Sequence, residues 1–207
     1  MERRVLFKGM LDVDFAVFPV KDVQYLVQNE IPPDVAEIFG RGARILLDKD
    51  GMANQIRLRV SSVKTRPRSP PSQHEFLEVV NDFWYHVVWT VKKLKRGELW
   101  TAKFCLDSYL KWKCMLRVIE WHSRAEKGWT YDTWHNGRFL EKWANKQIIE
   151  GLRDTFAYYD KDDVERALLA TMNAFRWIAK ETAEKLGYPY PTEIDKTVTE
   201  WVETYVP

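Results

Sequence analysis

The chain has 207 residues, a formal net charge of +2, 45% hydrophobic and 30% charged residues. This length allows one large domain or two small ones, and this composition is typical of a folded protein with a hydrophobic core. The near-neutral charge disfavours nucleic-acid binding, which normally requires a strongly basic surface. No apolar run approaches a membrane span and residues 1–4 begin no signal peptide, so we expect a cytoplasmic protein.

The first residues predict a small sheet. Residues 5–7 and 11–18 predict two strands joined by a turn at residues 8–10, and the alternation in the second strand places Asp12 and Asp14 on one face. A divalent cation such as Mg²⁺ would relieve the repulsion between these carboxylates. A solvated edge strand explains the same pattern. Because two strands are too little sheet to stand alone, we also expect self-association, as a homodimer or aggregate.

Short elements and a linker follow. Residues 22–29 and 34–39 predict short helices, and residues 44–48 predict a strand that ends in a turn. Residues 61–72 contain three prolines and four serines and have little apolar content, which indicates a linker. We therefore predict two domains, residues 1–68 and residues 73–207.

The second domain is predicted to be an antiparallel helical bundle. Its central helix spans residues 73–95, where apolar residues recur at steps of three and four, and Ser72 with Glu75 forms a capping box at its start. Short connections between long helices favour antiparallel packing. The overall fold class is α+β, mostly α. Further helices are predicted at residues 98–124, 131–143, 146–158, 161–186 and 192–205.

Several polar residues of the bundle allow more than one interpretation. A basic cluster at residues 92–96 either contacts phosphate or complements the helix dipole. Arg138 and Arg176 lie among aromatic residues, so each is either a cation–π packing residue or a phosphate ligand. Cys105 and Cys114 are nine positions apart in a predicted helix, which favours two free thiols and a reducing compartment. The four histidines lack the spacing of a zinc site.

A colinear series of short motifs resembles a known family. The series begins with VDFAVFP at residues 13–19, LDKD at 47–50 and NDFW at 81–84, and continues with Lys92. It ends with LR at 116–117, RFLE at 138–141, FR at 175–176 and AEKLGYPYP at 183–191. In order and approximate spacing, these motifs resemble the aminoglycoside 6-adenylyltransferases, also called streptomycin adenylyltransferases, over nearly the whole chain.

This resemblance implies a fold and an activity. Members of the family have an N-terminal nucleotidyltransferase domain and a C-terminal helical bundle, and they transfer AMP from ATP to a hydroxyl of streptomycin with Mg²⁺. By the resemblance, Asp14 corresponds to the third metal-binding carboxylate, which binds metal or activates the attacking hydroxyl. The preceding Gly-Ser motif and Asp-x-Asp pair are absent from this sequence, so the chain is expected to match the last two thirds or so of a family member.

The resemblance also suggests roles for the helical domain, which in the family closes over ATP and binds the aminoglycoside. The guanidino groups of streptomycin favour carboxylates and aromatic faces, so Asp82, Trp84 and Asp107 are candidate substrate-binding residues. A surface pair with Lys111 four residues later is the alternative explanation of Asp107.

The remaining expectations concern the nucleotide and the alternative to catalysis. Lys92 and Arg138 match basic positions of the family and are expected to contact the phosphates of ATP. We therefore expect a Mg²⁺-dependent adenylyltransferase that confers antibiotic resistance, whose partners are ATP and an aminoglycoside. The alternative is a truncated, non-catalytic helical-bundle protein of the same family that binds without transferring AMP.

Overall fold

The structure, a computed structural model, describes residues 1–62 and 69–206 and divides into two units, Met1–Arg66 and Pro67–Pro207. The predicted linker falls partly on residues 63–68, which lie outside the described residues. The described chain is mostly helical with one two-stranded antiparallel sheet, so the predicted α+β class is confirmed. Within these residues, no helix combines the length and the apolarity that crossing a membrane requires.

The first unit contains a hairpin and three helices. Strands β1 (Glu2–Leu6) and β2 (Asp12–Ala16) pair antiparallel, with Arg4 opposite Asp14. The turn between them places Gly9 and Met10 in the left-handed region at φ 88° and 62°. Among the residues described in this unit, a small buried core consists of Ile31, Ala36, Ile56 and Val60. The elements are β1 Glu2–Leu6, β2 Asp12–Ala16, α1 Val20–Gln28, α2 Pro33–Gly40 and α3 Met52–Ser62.

The strand predicted at residues 44–48 is wrong, and a helix missed by the prediction follows it. The Asp48 carboxylate accepts hydrogen bonds from the backbone amides of Ala53, at 3.2 Å, and Asn54, at 3.0 Å. These bonds lower the pKa of Asp48 and satisfy amides at the start of α3 that have no partner within the helix. The carboxylate therefore anchors the beginning of a helix, and the residues before it remain irregular.

The second unit is a bundle of helices. The long helices pack their apolar faces into one continuous core that extends from Phe76 to Val206. Two of the predicted helices, at residues 73–95 and 161–186, are confirmed with the same bounds. The elements are α4 Gln73–Lys95, α5 Leu99–Phe104, the π-helix Cys105–Met115, α6 Leu116–Lys127, α7 Leu140–Trp143, α8 Lys146–Leu152, a short 3-10 helix Arg153–Thr155, α9 Lys161–Leu186 and α10 Thr192–Glu203.

The central helix α4 begins with the predicted capping box. The Ser72 hydroxyl accepts from the amide of Glu75 at 3.2 Å, and the Glu75 carboxylate accepts from the amide of Ser72 at 2.7 Å. Along one face of α4, Phe76, Val80 and Phe83 are fully buried. Burying each of these side chains contributes about 2 kcal/mol or more, so packing rather than helix propensity holds α4 in place.

A wide helical segment interrupts the second long helix. The helix predicted at residues 98–124 is continuous from Leu99 to Lys127, but its middle third, Cys105–Met115, is a π-helix. The Leu116 amide, for example, donates to the carbonyl of Lys111 five residues earlier. Such a segment rotates the side chains that follow it to a different face of the helix. Segments of this kind occur frequently at functional sites. Cys105 and Cys114 lie in this segment as buried free thiols, as predicted.

The helix predicted at residues 131–143 is wrong over most of its length, because only α7 forms there. The Asp132 carboxylate accepts from the amide of Trp134 at 2.8 Å, which forms a local turn and not a helix cap. Trp134, Asn136 and Phe139 all have φ values between 53° and 59°. These left-handed residues prevent a right-handed helix, so the segment packs as a loop.

Candidate functional site

Asp14, the predicted catalytic and metal-binding residue, lies on the exposed hairpin of the first unit. Its carboxylate pairs with the Arg4 guanidinium on the neighbouring strand at 3.2 Å, and 55% of the Asp14 side chain is exposed. An exposed ion pair of this kind contributes less than about 1 kcal/mol. The carboxylate is therefore accessible to a metal ion or to a hydroxyl at little energetic cost.

The described residues contain no group of three or more histidine, cysteine, aspartate or glutamate side chains arranged to hold a metal ion. Mg²⁺ commonly keeps several water ligands and is held by one or two carboxylates together with substrate phosphates. Asp14 fits one position in such a set.

Asp82, predicted to bind substrate, lies on α4 within a polar and aromatic cluster. One carboxylate oxygen accepts from the Tyr109 hydroxyl at 3.0 Å and lies 3.5 Å from the Cys114 sulfur. The other lies 3.0 Å from Nδ1 of His86. The imidazole of His86 packs against the ring of Tyr109 at 4.1 Å and contacts the ring of Tyr85 at 5.1 Å.

The cluster leaves the Asp82 carboxylate without a permanently cationic partner. Burial and the hydrogen bond to Asp82 raise the pKa of Tyr109 to about 12, so the phenol remains a neutral donor. Burial and the same carboxylate raise the pKa of the Cys114 thiol. In the described part of the chain, neither a lysine nor an arginine pairs with Asp82, and 39% of its side chain is exposed. A negative charge thus lies among aromatic rings where a ligand can reach it.

Trp84, a second candidate for substrate binding, is fully enclosed in the core. Its ring makes edge contacts with Phe83 at 5.2 Å and Phe175 at 6.5 Å. The guanidinium of Arg176 lies over the same ring at 5.4 Å. In this structure Trp84 presents no surface to a ligand and supports the helix that carries Asp82.

Asp107, the third candidate, lies between two lysines. The ammonium of Lys103 contacts one carboxylate oxygen, and that of Lys111 lies 3.4 Å from the other. Lys103 also donates to the carbonyl of Ala157 at 2.6 Å, and Lys111 to that of Leu106 at 2.9 Å. Both lysines are held by further bonds, so the charge of Asp107 is already compensated. The predicted pair with Lys111 is present, and Lys103 adds a second.

The two candidate phosphate ligands lie on separate elements of the second unit. Lys92 is exposed near the end of α4. Arg138 is exposed in the loop before α7, and its guanidinium lies over the rings of Phe139 at 4.9 Å and Trp134 at 5.7 Å. Stacking on aromatic faces leaves the N–H groups of an arginine free to bind oxygen ligands.

Arg176, for which packing and phosphate binding were both open, is engaged within the bundle. Its guanidinium binds the buried carboxylate of Asp195 at 2.8–2.9 Å and the hydroxyl of Thr199 at 2.6 Å. The Tyr190 hydroxyl donates to the same carboxylate at 3.0 Å. Burial and the nearby negative charge raise the pKa of Tyr190. This network ties α9 to α10 and is structural.

Sequence reasoning missed three members of these clusters. His86 lies four residues after Asp82, and Lys103 four residues before Asp107, so helical spacing alone could have identified both. Tyr109 lies 27 residues from Asp82 and approaches it only through the packing of α4 against the π-helix. No signal in the sequence predicts that contact.

Comparison with known proteins reveals a family and a shared fold. A family model described as streptomycin adenylyltransferase matches residues 2–205. A solved structure of an aminoglycoside 6-adenyltransferase from Bacillus subtilis has a TM-score of 0.61 and 22% identity, covering 99% of this chain and 70% of that chain. At this identity the likeness establishes the fold.

Curated relatives extend beyond the length of this chain. An aminoglycoside 6-adenylyltransferase of Bacillus subtilis (strain 168) is 24% identical over 206 residues, which is 96% of this chain and 66% of the relative. Another, from Campylobacter jejuni, is 22% identical over 193 residues, which is 93% of this chain and 62% of the relative. The chain therefore spans about two thirds or less of the length of these relatives.

Proposed function

The chain belongs to the streptomycin adenylyltransferase family, and on this premise we propose that it transfers AMP from ATP to a hydroxyl of a cationic aminoglycoside and so confers resistance. In this reaction the hydroxyl oxygen attacks the α-phosphorus of ATP and forms a new O–P bond. The α–β anhydride bond breaks, pyrophosphate leaves, and the hydroxyl proton passes to a base. The observation that carries the proposal is the family match, because residues 2–205 include both Asp14 and Asp82.

Asp14 is the residue to which we assign the chemical step. Its carboxylate is half exposed and held only by a weak ion pair with Arg4, so it can bind Mg²⁺ or accept the hydroxyl proton. Bound Mg²⁺ would supply charge stabilisation to the phosphates. Asp12 lies two residues earlier in β2, opposite Leu6 in the register, and belongs to the same face by the strand alternation.

Asp82 is the residue to which we assign recognition of the aminoglycoside. A guanidino group is a planar cation that binds a carboxylate through paired N–H donors and stacks on aromatic faces. The Asp82 cluster offers a carboxylate beside Tyr85, His86 and Tyr109, and among the described residues no lysine or arginine competes for it. Asp107 offers the same carboxylate already bound by Lys103 and Lys111, so a ligand there would have to displace an ammonium group.

Lys92 and Arg138 are assigned to the phosphates of ATP. Both side chains are exposed, and Arg138 is held in place by aromatic contacts with its donors available. A guanidinium group binds phosphate oxygens through two parallel hydrogen bonds, and an ammonium group attracts them as a point charge.

The proposal is tested by incubating the chain with streptomycin, ATP and Mg²⁺ and measuring the mass of the antibiotic. We expect an adenylyl adduct, and we expect Asp14→Asn to slow its formation by about 100-fold or more. Asp22→Asn, the same change at an exposed position of α1, should retain activity. The absence of an adduct with the native chain, or an unaffected Asp14→Asn variant, would contradict the proposal; streptomycin binding without an adduct would instead support the non-catalytic alternative.

A further inference from the structure

A cavity of about 300 Å³ lies in the second unit between the π-helix, the start of α6 and the segments around α7 and α8. Its walls are mostly apolar, and two large aromatic side chains, Trp112 and Phe156, are each about half exposed at its edge. The cavity has the size and lining of a small-molecule site at the lower end of the usual range. It is lined by Asp107, Ser108, Lys111, Trp112, Met115, Leu116, Ile119, Asn136, Gly137, Leu140, Leu152 and Phe156.

Lys111 is the unusual member of this lining. Only 9% of its side chain is exposed, and its ammonium lies 4.8 Å from the centre of the Phe156 ring, another lining residue. The ammonium makes one good hydrogen bond, to the carbonyl of Leu106 at 2.9 Å. Its contacts with Asp107 and with the hydroxyl of Thr171 are both 3.4 Å, which is long for a charged donor.

The charges of the group formed by Lys103, Asp107 and Lys111 do not balance. Asp107 is shared by two ammonium groups, those of Lys103 and Lys111, and it lies closer to Lys103. These three groups, two ammonium groups and one carboxylate, carry one net positive charge. One positive charge therefore remains without a full partner beside an apolar cavity.

The protonation behaviour of Lys111 agrees with this imbalance. Burial lowers its pKa to about 8, and the opposing attraction of Asp107 does not restore the ordinary value near 10.4. An ammonium fully paired in a buried site would be stabilised in its charged form. Lys111 can therefore bind a second anionic group in addition to Asp107.

From this arrangement we infer that the cavity binds a small monoanionic aromatic molecule, with its carboxylate against Lys111 and its ring against Trp112 and Phe156. The apolar walls accept the ring. The carboxylate of the ligand supplies a second negative charge, so that Lys103 and Lys111 no longer share Asp107 alone. The long contacts of Lys111 leave donor capacity for this bond. A cationic ligand is disfavoured here, because it would meet the surplus positive charge.

This site is independent of the proposed transfer reaction. It involves neither Asp14 nor Asp82, and its preferred ligand has the opposite charge to an aminoglycoside. Failure of one proposal therefore leaves the other unaffected.

A series of probes that differ only in charge tests the inference on the native chain. Naphthoate, naphthylmethanol and naphthylmethylammonium share one aromatic body, and their dissociation constants can be measured by titration in an NMR experiment. We expect naphthoate to bind at least about ten-fold more tightly than either of the others, and its affinity to fall as the pH rises through 8, where Lys111 loses its proton. Absence of naphthoate binding, or a cationic probe that binds at least as tightly, would overturn the inference.

A matched pair of variants tests whether Lys111 supplies the positive charge that binds the anion. Lys111→Met keeps the length of the side chain and removes the ammonium, and Lys113→Met makes the same change at an exposed position of the same π-helix. Lys111→Met should abolish the preference for naphthoate, and Lys113→Met should preserve it. Equal naphthoate affinity in the native chain and in Lys111→Met would show that Lys111 does not hold the anion.

Discussion

The two units of this protein differ in how much of their apolar surface they bury. Among its described residues, the first unit has a core of four buried hydrophobic side chains, and many of its large apolar side chains, such as Phe15, Phe18 and Leu47, remain exposed. The second unit has one core that involves every long helix. Burial of apolar surface is the main favourable term in folding, so the second unit holds most of the stability.

The two residues assigned to function lie in units of different expected stability. The residue assigned to the chemical step, Asp14, lies on a two-stranded hairpin, an element that is marginal by itself in water. The residue assigned to ligand recognition, Asp82, lies on α4, a helix whose buried side chains include Phe76, Phe83 and Trp84. We expect amide hydrogen exchange to be fast in β1 and β2 and slow in α4 and α9.

The largest expected effect comes from truncating a buried side chain in each of the two cores. Phe83 is fully buried and stacks on Phe175 with ring centres 3.6 Å apart, so Phe83→Ala should cost about 4 kcal/mol of unfolding free energy. Ile56→Ala in the smaller core should cost about 2 kcal/mol, because a thinner core relaxes into the space more easily. Urea unfolding measures both; a larger cost at Ile56 would contradict the comparison.

An intermediate effect is expected from Arg59, which stabilises the first unit through hydrogen bonds. Its guanidinium donates to the carbonyls of Leu26, at 2.6 Å, and Asn29, at 2.5 Å, at the end of α1. Arg59→Met should destabilise this unit by about 1–3 kcal/mol, because these carbonyls have no partner within the helix. Hydrogen exchange should accelerate in α1 and not in α4. Arg57→Met, at an exposed position of α3, is the control.

The smallest effect is a pH dependence in the second unit. His122 is 1% exposed on α6, where burial lowers its pKa, and Glu126, Glu181 and Lys185 surround it. Because its folded pKa is below the unfolded value near 6.5, the unfolded state binds more protons as the pH falls, and stability decreases. The loss begins near the unfolded pKa and levels off below the folded one.

Urea midpoints at about pH 7.5 and about pH 5.5 measure this dependence on His122. His122→Gln should reduce the difference between the two midpoints. His74→Gln, at an exposed position of α4, should leave it unchanged. A native chain that is equally stable at both pH values, or a His122→Gln variant with the full difference, would show that His122 makes no contribution.

Much of the bundle could be predicted from sequence because its signals are local. The bounds of α4 follow from the capping box and from an apolar period of three to four, and those of α9 from its periodicity and from Gly187, which ends it at φ 70°. The errors arose where side chains bind nearby backbone. Asp48 and Asp132 each direct the chain through such bonds, and the apolar pattern around them does not reveal this.

The candidate site was predicted only in part, for a different reason. The pairing of Asp107 with Lys111 follows from helical spacing, whereas the contact of Tyr109 with Asp82 depends on how α4 meets the π-helix. A π-helix has the same composition as an α-helix, so the sequence does not reveal where the side chains change to a different face of the helix. The burial of Trp84 could not be predicted from the sequence either, because an aromatic residue in an amphipathic helix fits both a core and a binding face.

The most direct test of the account is calorimetric titration of streptomycin into the native chain, Asp82→Asn and Asp107→Asn. These variants make the same change at two carboxylates. In the part of the chain that the structure describes, Asp82 has no lysine or arginine partner, whereas Asp107 is held by two lysines. We predict that Asp82→Asn weakens binding by about ten-fold to 100-fold and that Asp107→Asn changes it by less than about three-fold. Strong loss in Asp107→Asn with unchanged binding in Asp82→Asn would contradict the assignment of ligand recognition to Asp82.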